Sequence, residues 1–132
     1  MNHLKTIHWV DWPLFDNRIK FLINQINEFE RKEKTKFKNL YGIPRGGLYV
    51  AVRLSYLLKR PLITNKNKIK DDTLIIDDCT KTGKTLMDYK NRGLKTLTLV
   101  HRSTTSKVTP TFYGFATEED TNYFWEAEDD IN

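Results

Sequence analysis

The chain of 132 residues contains a single cysteine, Cys79, so no internal disulfide can form. Nor does any apolar run approach the roughly 20 residues that cross a bilayer. Met1–Val10 lacks the continuous apolar stretch of a secretory signal. Linkers, internal repeats and low-complexity blocks are also missing. These absences point to one cytoplasmic domain without membrane contact, because a chain of this length can bury one core and not two. The expected layout is a helical segment over 1–36 followed by an α/β core over 37–132.

Acidic excess is lacking too: the formal net charge is +5, with basic clusters at Arg31–Lys38, Lys59–Arg60 and Lys66–Lys70. None of these is interleaved with aromatics as in a single-strand binder, so nucleic acid is not the expected partner. A small polyanionic substrate suits the charge equally well.

What is present is a strand, a pair of acids and a polar loop. Thr73–Ile76 is a short apolar, β-branched run of the kind buried in a parallel sheet, and Asp77 and Asp78 are expected where the chain leaves that strand. Thr80, Lys81, Thr82, Gly83, Lys84 and Thr85 follow, opening a helix-like run towards Arg92 that Gly93 ends. A strand, a Gly/Thr loop and a helix N-terminus offer N–H groups and hydroxyls to one anion. Gly83-Lys84-Thr85 is not a nucleoside-triphosphatase loop, since that motif needs glycine at position 78, where Asp78 stands. Paired carboxylates suit the vicinal hydroxyls of a sugar better than a triphosphate. Cys79 within this loop reads as a small filler.

Upstream, Asp11-Trp12-Pro13 signals a helix start, and Phe15, Ile19, Leu22, Ile26 and Phe29 recur at spacings of four and three. Trp9 and Trp12 are expected as core or hinge aromatics. Phe37–Ile43 reads as a strand running into Gly42-Ile43-Pro44-Arg45-Gly46-Gly47, and Leu48–Lys59 as a helix burying Val50, Leu54, Leu57 and Leu58. Leu62–Thr64 and Lys95–Val100 are further strands, and the second delivers His101 and Arg102 to the same end of the sheet as the acid pair. Alternation of strands and helices implies right-handed crossovers and a mainly parallel sheet with helices on both faces. Ligands of such sheets lie outside the carboxyl ends of the strands.

The run Asp77-Asp78-Cys79-Thr80-Lys81-Thr82-Gly83-Lys84-Thr85 resembles the phosphoribosyl pyrophosphate (PRPP) motif of the type I phosphoribosyltransferases, departing from it at Lys81. Arg45, Gly46 and Gly47 resemble the pyrophosphate loop of the same family, with Arg45 as cation and the glycines allowing close approach. The tail is similar to the purine branch. Lys107–Tyr113 and Tyr123-Phe124-Trp125-Glu126 match its segments in part, although Phe124 replaces a proline and Asp120 stands where a base-stacking aromatic is expected.

The resemblance implies a single-domain phosphoribosyltransferase-like fold and transfer of ribose 5-phosphate from PRPP to an oxopurine, such as hypoxanthine, guanine or xanthine. Asp77, Asp78 and Arg45 are then the expected catalytic residues, and Arg45–Gly47, Asp77, Asp78 and Thr80–Thr85 would bind PRPP. His101, Tyr123 and Trp125 would meet the base, while Asp77, Asp78 and Glu126 would hold Mg²⁺. The partners are small molecules, and a homo-oligomer is compatible with this reading. In relatives the place of Lys81 is often an Asp proposed as the base for the purine proton. Their mobile hood lies where this chain has only Asn65–Asp72, so the hood is expected to be reduced to a turn. A PRPP-binding regulatory protein with little transferase activity is the alternative, since it would keep the phosphate loops and lose hood and base.

Overall fold

A computed structural model describes residues 7–126; the expected domain span of 1–132 runs beyond them at both ends. The elements are β1 (Ile7–Val10), α1 (Trp12–Glu33), β2 (Asn39–Gly42), α2 (Gly46–Leu58), β3 (Leu62–Ile63), a 3₁₀ turn (Lys66–Lys68), β4 (Thr73–Thr80), α3 (Lys84–Asn91), β5 (Thr96–His101), β6 (Phe112–Ala116) and β7 (Asp120–Tyr123). Strands β3-β2-β4-β5-β6 form one sheet in that order, parallel throughout. β1 and β7 pair in parallel as a separate two-stranded sheet.

The sheet is covered on both faces, which is why β4 and β5 read as unbroken apolar runs. Alternation along β4 sends Leu74 and Ile76 to one face and Ile75 to the other. The first face packs Leu40, Leu97 and Leu99 against Phe15, Ile19, Leu22 and Ile26 of α1 and Val50, Ala51 and Leu54 of α2. On the second, Ile75 meets Tyr41, Leu86, Tyr89, Leu94 and Val108. α1 starts where its sequence says: Asp11 Oδ1 accepts from Leu14 N at 3.0 Å, with proline in the first turn. Its far end is tied down by Glu30, whose carboxylate pairs with Arg60 at 2.6 and 2.8 Å and accepts from Phe37 N.

Four expectations change. Trp9 and Trp12 are 60% and 46% exposed, so they are surface residues and not core. On α2, Gly47 and Ala51 join Val50 and Leu54 on the buried side, while Leu57 and Leu58 are only partly buried. The β1/β7 pairing was not foreseen, because each strand is only four residues long and the two lie at opposite ends of the chain. Most consequential, β4 does not stop at Ile76. Its pairing with β2 ends at Gly42 and Ile76, but pairing with β5 continues through Asp77, Cys79 and Thr80 as far as His101. The two acids therefore sit within a strand that has lost one neighbour and kept the other.

Candidate active site

That one-sided extension decides where the acids point. Position 78 continues the face of Leu74 and Ile76, on which α2 lies, and position 77 continues the face of Ile75, towards α3. Gly46 and Gly47 at the start of α2 close on them. A methyl group on Gly46 would overlap the Asp78 carboxylate, and one on Gly47 would lie 2.5 Å from Ile76 O and 3.0 Å from Asp77 Cα. Glycine is required at 47, where the clash is with backbone, whereas at 46 a side chain would have to push the Asp78 carboxylate aside. Pro44–Arg45 is a cis peptide bond, and the Arg45 side chain is exposed beside it.

Asp77 Oδ1 accepts from Asp78 N, and Asp78 Oδ1 from Cys79 N, each at 2.8 Å. Burial pushes the Asp77 carboxyl up to about 8, helped by its hydrogen bond to Asp78 and the charge of that neighbour. Burial likewise pushes the Cys79 thiol up to about 12, which fits a filler and not a nucleophile.

A cavity of about 310 Å³ opens in front of the pair, lined by residues 77 to 86 together with Thr121, Tyr123 and Glu126. Gly83, at φ 84°, turns the chain into α3, whose first-turn N–H groups have no intrahelical acceptor. The loop is braced from the β5–β6 connection: Thr105 Oγ1 donates to Lys81 O at 2.5 Å and Lys107 N to Thr82 O at 3.0 Å. Sequence reasoning missed this brace and also Thr121, which reaches the cavity only because β7 pairs with β1.

The expected base-contacting residues are arranged differently. His101 belongs to β5 and is buried, and it does not line the cavity. Its Nδ1 lies 2.6 Å from Thr80 Oγ1, its ring is tilted against Tyr113 at 5.1 Å, and burial lowers its pKa. Extending β5 by one residue past Val100 places the His101 ring at the carboxyl end of the sheet, between Thr80 and Tyr113, and off the wall of this cavity. Trp125 has both faces covered, by Tyr123 at 4.5 Å and by Tyr49 at 4.9 Å, with the rings within 6° and 11° of parallel. Tyr123 is buried and lines the cavity, and burial raises its hydroxyl pKa. Glu126 lines the cavity as well, with Oε1 accepting from Tyr123 N at 2.7 Å. Among the described residues it does not join the aspartates in a group of three able to hold a metal ion.

A five-stranded parallel sheet with two glycine-containing loops and an acid pair on its carboxyl rim defines a class, the type I phosphoribosyltransferase fold. Within that class the likeness lies with the purine branch. A purine phosphoribosyltransferase from Pyrococcus horikoshii is 26% identical with a TM-score of 0.75, over 92% of this chain and 95% of its own. The xanthine-guanine-hypoxanthine phosphoribosyltransferase of Helicobacter pylori is 17% identical, at TM-score 0.77 over 94% and 95%. A protein from Neisseria gonorrhoeae with bound ppGpp is 17% identical, at 0.73 over 97% and 93%. No family model and no curated protein sequence matches the chain.

Proposed function

We propose that the chain transfers the ribose 5-phosphate group of PRPP to a ring nitrogen of an oxopurine, giving a nucleoside monophosphate and pyrophosphate. The observation that carries this reading is the contact of Gly46 and Gly47 with Asp78 and the β4 backbone, which joins a pyrophosphate-type loop to a phosphate loop with the acids between. Thr80–Thr85 and the first turn of α3 bind the 5′-phosphate, and Asp77 and Asp78 accept from the ribose hydroxyls. Arg45 and the loop N–H groups neutralise charge growing on the departing pyrophosphate.

The acid pair fits Mg²⁺. It offers two hard oxygen donors, and a divalent cation would offset both the burial and the neighbouring Asp78 charge that raise Asp77, with substrate oxygens completing such a shell. When bound, the ion supplies charge neutralisation at the pyrophosphate. Asp77 and Asp78 would be its holders in this reading, while Glu126 lines the same cavity without forming a three-residue group with them.

Calorimetric titration with PRPP and Mg²⁺, followed by assay of pyrophosphate release with hypoxanthine, guanine and xanthine, tests the proposal. Absence of PRPP binding would refute it. Gly46→Ala is expected to weaken PRPP–Mg²⁺ binding roughly fivefold, because the added methyl displaces the Asp78 carboxylate, with a smaller effect on melting temperature. The covered faces of Trp125 favour a second reading, a PRPP-binding regulatory protein, because the expected stacking surface is already occupied by Tyr49 and Tyr123. PRPP binding without turnover of any base would select it.

A further inference from the structure

His101 has no part in the transfer step described above, yet its ring sits against the first residue of the phosphate loop. Its Nδ1 lies 2.6 Å from Thr80 Oγ1. The backbone imposes that contact: Thr80 and His101 are register partners across β4 and β5, Arg102 N donates to Thr80 O at 3.1 Å, and Thr117 N donates to His101 O at 3.0 Å. Thr80 in turn lines the cavity, with its side chain otherwise buried.

A hydroxyl carries one proton, and a phosphate dianion offers lone pairs only. If Thr80 Oγ1 donates to a bare Nδ1, its proton is occupied at the sheet end and only lone pairs are left to face a phosphate, which repels them. If Nδ1–H donates instead, Thr80 accepts with one lone pair and keeps its proton for a phosphate oxygen. Only the second arrangement lets this hydroxyl bind an anion. The rest of the ring permits it, since Nε2 is not among the buried side-chain atoms that lack a partner and can accept from water. Burial lowers the His101 pKa against the opposing charge of Glu118, so the ring is neutral at pH 7 and the choice is between tautomers. The other groups around it are Thr80 of β4, Tyr113 of β6 and Arg102, whose guanidinium is paired with Asp120.

Building on the transfer reading above, we propose that His101 is a positioning residue for the 5′-phosphate: its Nδ1–H donates to Thr80 Oγ1 and so aims the Thr80 hydroxyl proton at a phosphate oxygen. The ring touches no substrate atom. It acts through one hydroxyl, so its effect falls on the phosphate end of PRPP and not on the pyrophosphate. Protonation of the ring at Nε2 leaves the Nδ1 donor in place, so acid weakens binding no further than titration of the phosphate itself does.

Imidazole ¹⁵N spectra of the protein, which has three histidines, are recorded with and without saturating ribose 5-phosphate, with His101→Asn identifying the His101 signals. The complex is expected to carry the hydrogen on Nδ1 and none on Nε2. Calorimetry then follows ribose 5-phosphate and pyrophosphate–Mg²⁺ separately. His101→Phe keeps a ring and removes the donor, and it is expected to weaken ribose 5-phosphate about tenfold while leaving pyrophosphate within about twofold. His101→Asn, whose amide NH₂ can stand where Nδ1–H does, is expected to recover most of that loss. Thr80→Val should match His101→Phe, and the double variant should lose no more than either. A purely structural role would move both ligands together and give no rescue by Asn. A complex with the hydrogen on Nε2, equal losses in the Phe and Asn variants, or wild type that binds PRPP–Mg²⁺ but not ribose 5-phosphate overturns the role of His101 and leaves the transfer reading standing. The wild-type spectrum decides the tautomer even where a variant fails to fold. Absence of binding of both ribose 5-phosphate and PRPP–Mg²⁺ overturns both.

Discussion

Replacing Asp77 and Asp78 together by Asn is expected to weaken PRPP–Mg²⁺ binding at least tenfold, or about 1.4 kcal/mol, and to stabilise the free protein at alkaline pH. Both effects come from one geometric fact. β4 carries two adjacent carboxylates past the point where its β2 neighbour ends, so they are partly withdrawn from water, and among the described residues no cation pairs with Asp77. In the free chain this costs stability. With a folded pKa of about 8 against an unfolded value near ~4, Asp77 contributes stability that is complete below the unfolded value and is lost as pH rises through the folded one. The wild-type melting temperature should therefore fall between about pH 4 and about pH 8, and the Asn variant should lose most of that slope. Asn matches the volume and can still accept from the N–H groups of residues 78 and 79, so the fold has no reason to fail. What disappears is the charge that holds ribose hydroxyls and metal. Unchanged affinity in a folded variant would refute the assignment. A variant less stable than wild type at alkaline pH would refute the pH argument.

Much of this site was legible because the chemistry is local in sequence. Asp77 to Thr85 form a continuous run, so the strand, the loop and the helix start could be read from β-branched residues, hydroxyls and Gly83. The pyrophosphate-type loop was readable for the same reason, since Arg45, Gly46 and Gly47 begin α2 directly. Residues whose roles depend on distant partners were not. Whether His101 faces a cavity or a neighbouring strand turns on one extra register step between β4 and β5, and no local signal encodes that step. Trp125 has an aromatic at position 123 that sequence alone could pair with it, but Tyr49 reaches its other face from α2, 76 positions away. The ion cluster of Lys81, Arg102 and Asp120 is likewise assembled from three elements, although each member was named singly in the sequence.

The link from 65 to 72 gives the other large effect: pyrophosphate release from PRPP without any base should reach within about tenfold of the base-dependent rate, a gap of about 1.4 kcal/mol. β3 and β4 lie on opposite sides of β2, so the link's residues are used up in crossing from the carboxyl end of one strand to the amino end of the other. It is also pinned: Asn65 Oδ1 accepts from Asn67 N at 2.9 Å, Ile69 packs against the core that holds Ile75, and Thr73 Oγ1 accepts from Lys70 N at 3.0 Å while donating to Asn39 at 2.6 Å. A segment fastened in this way has no slack to fold over a cavity on the β4–α3 side. Water then reaches C1 as ribose acquires oxocarbenium character, and the pyrophosphate clamp of Arg45 acts in a wetter, less favourable dielectric. Both consequences push in one direction: base transfer slows and hydrolysis competes. A single assay of pyrophosphate with and without purine decides the matter, run on protein whose oligomeric state has been measured, since a second copy covering the rim would replace the lid. Fast release that depends tightly on base, from a demonstrated monomer, would show that this site excludes water by some means other than the segment between β3 and β4.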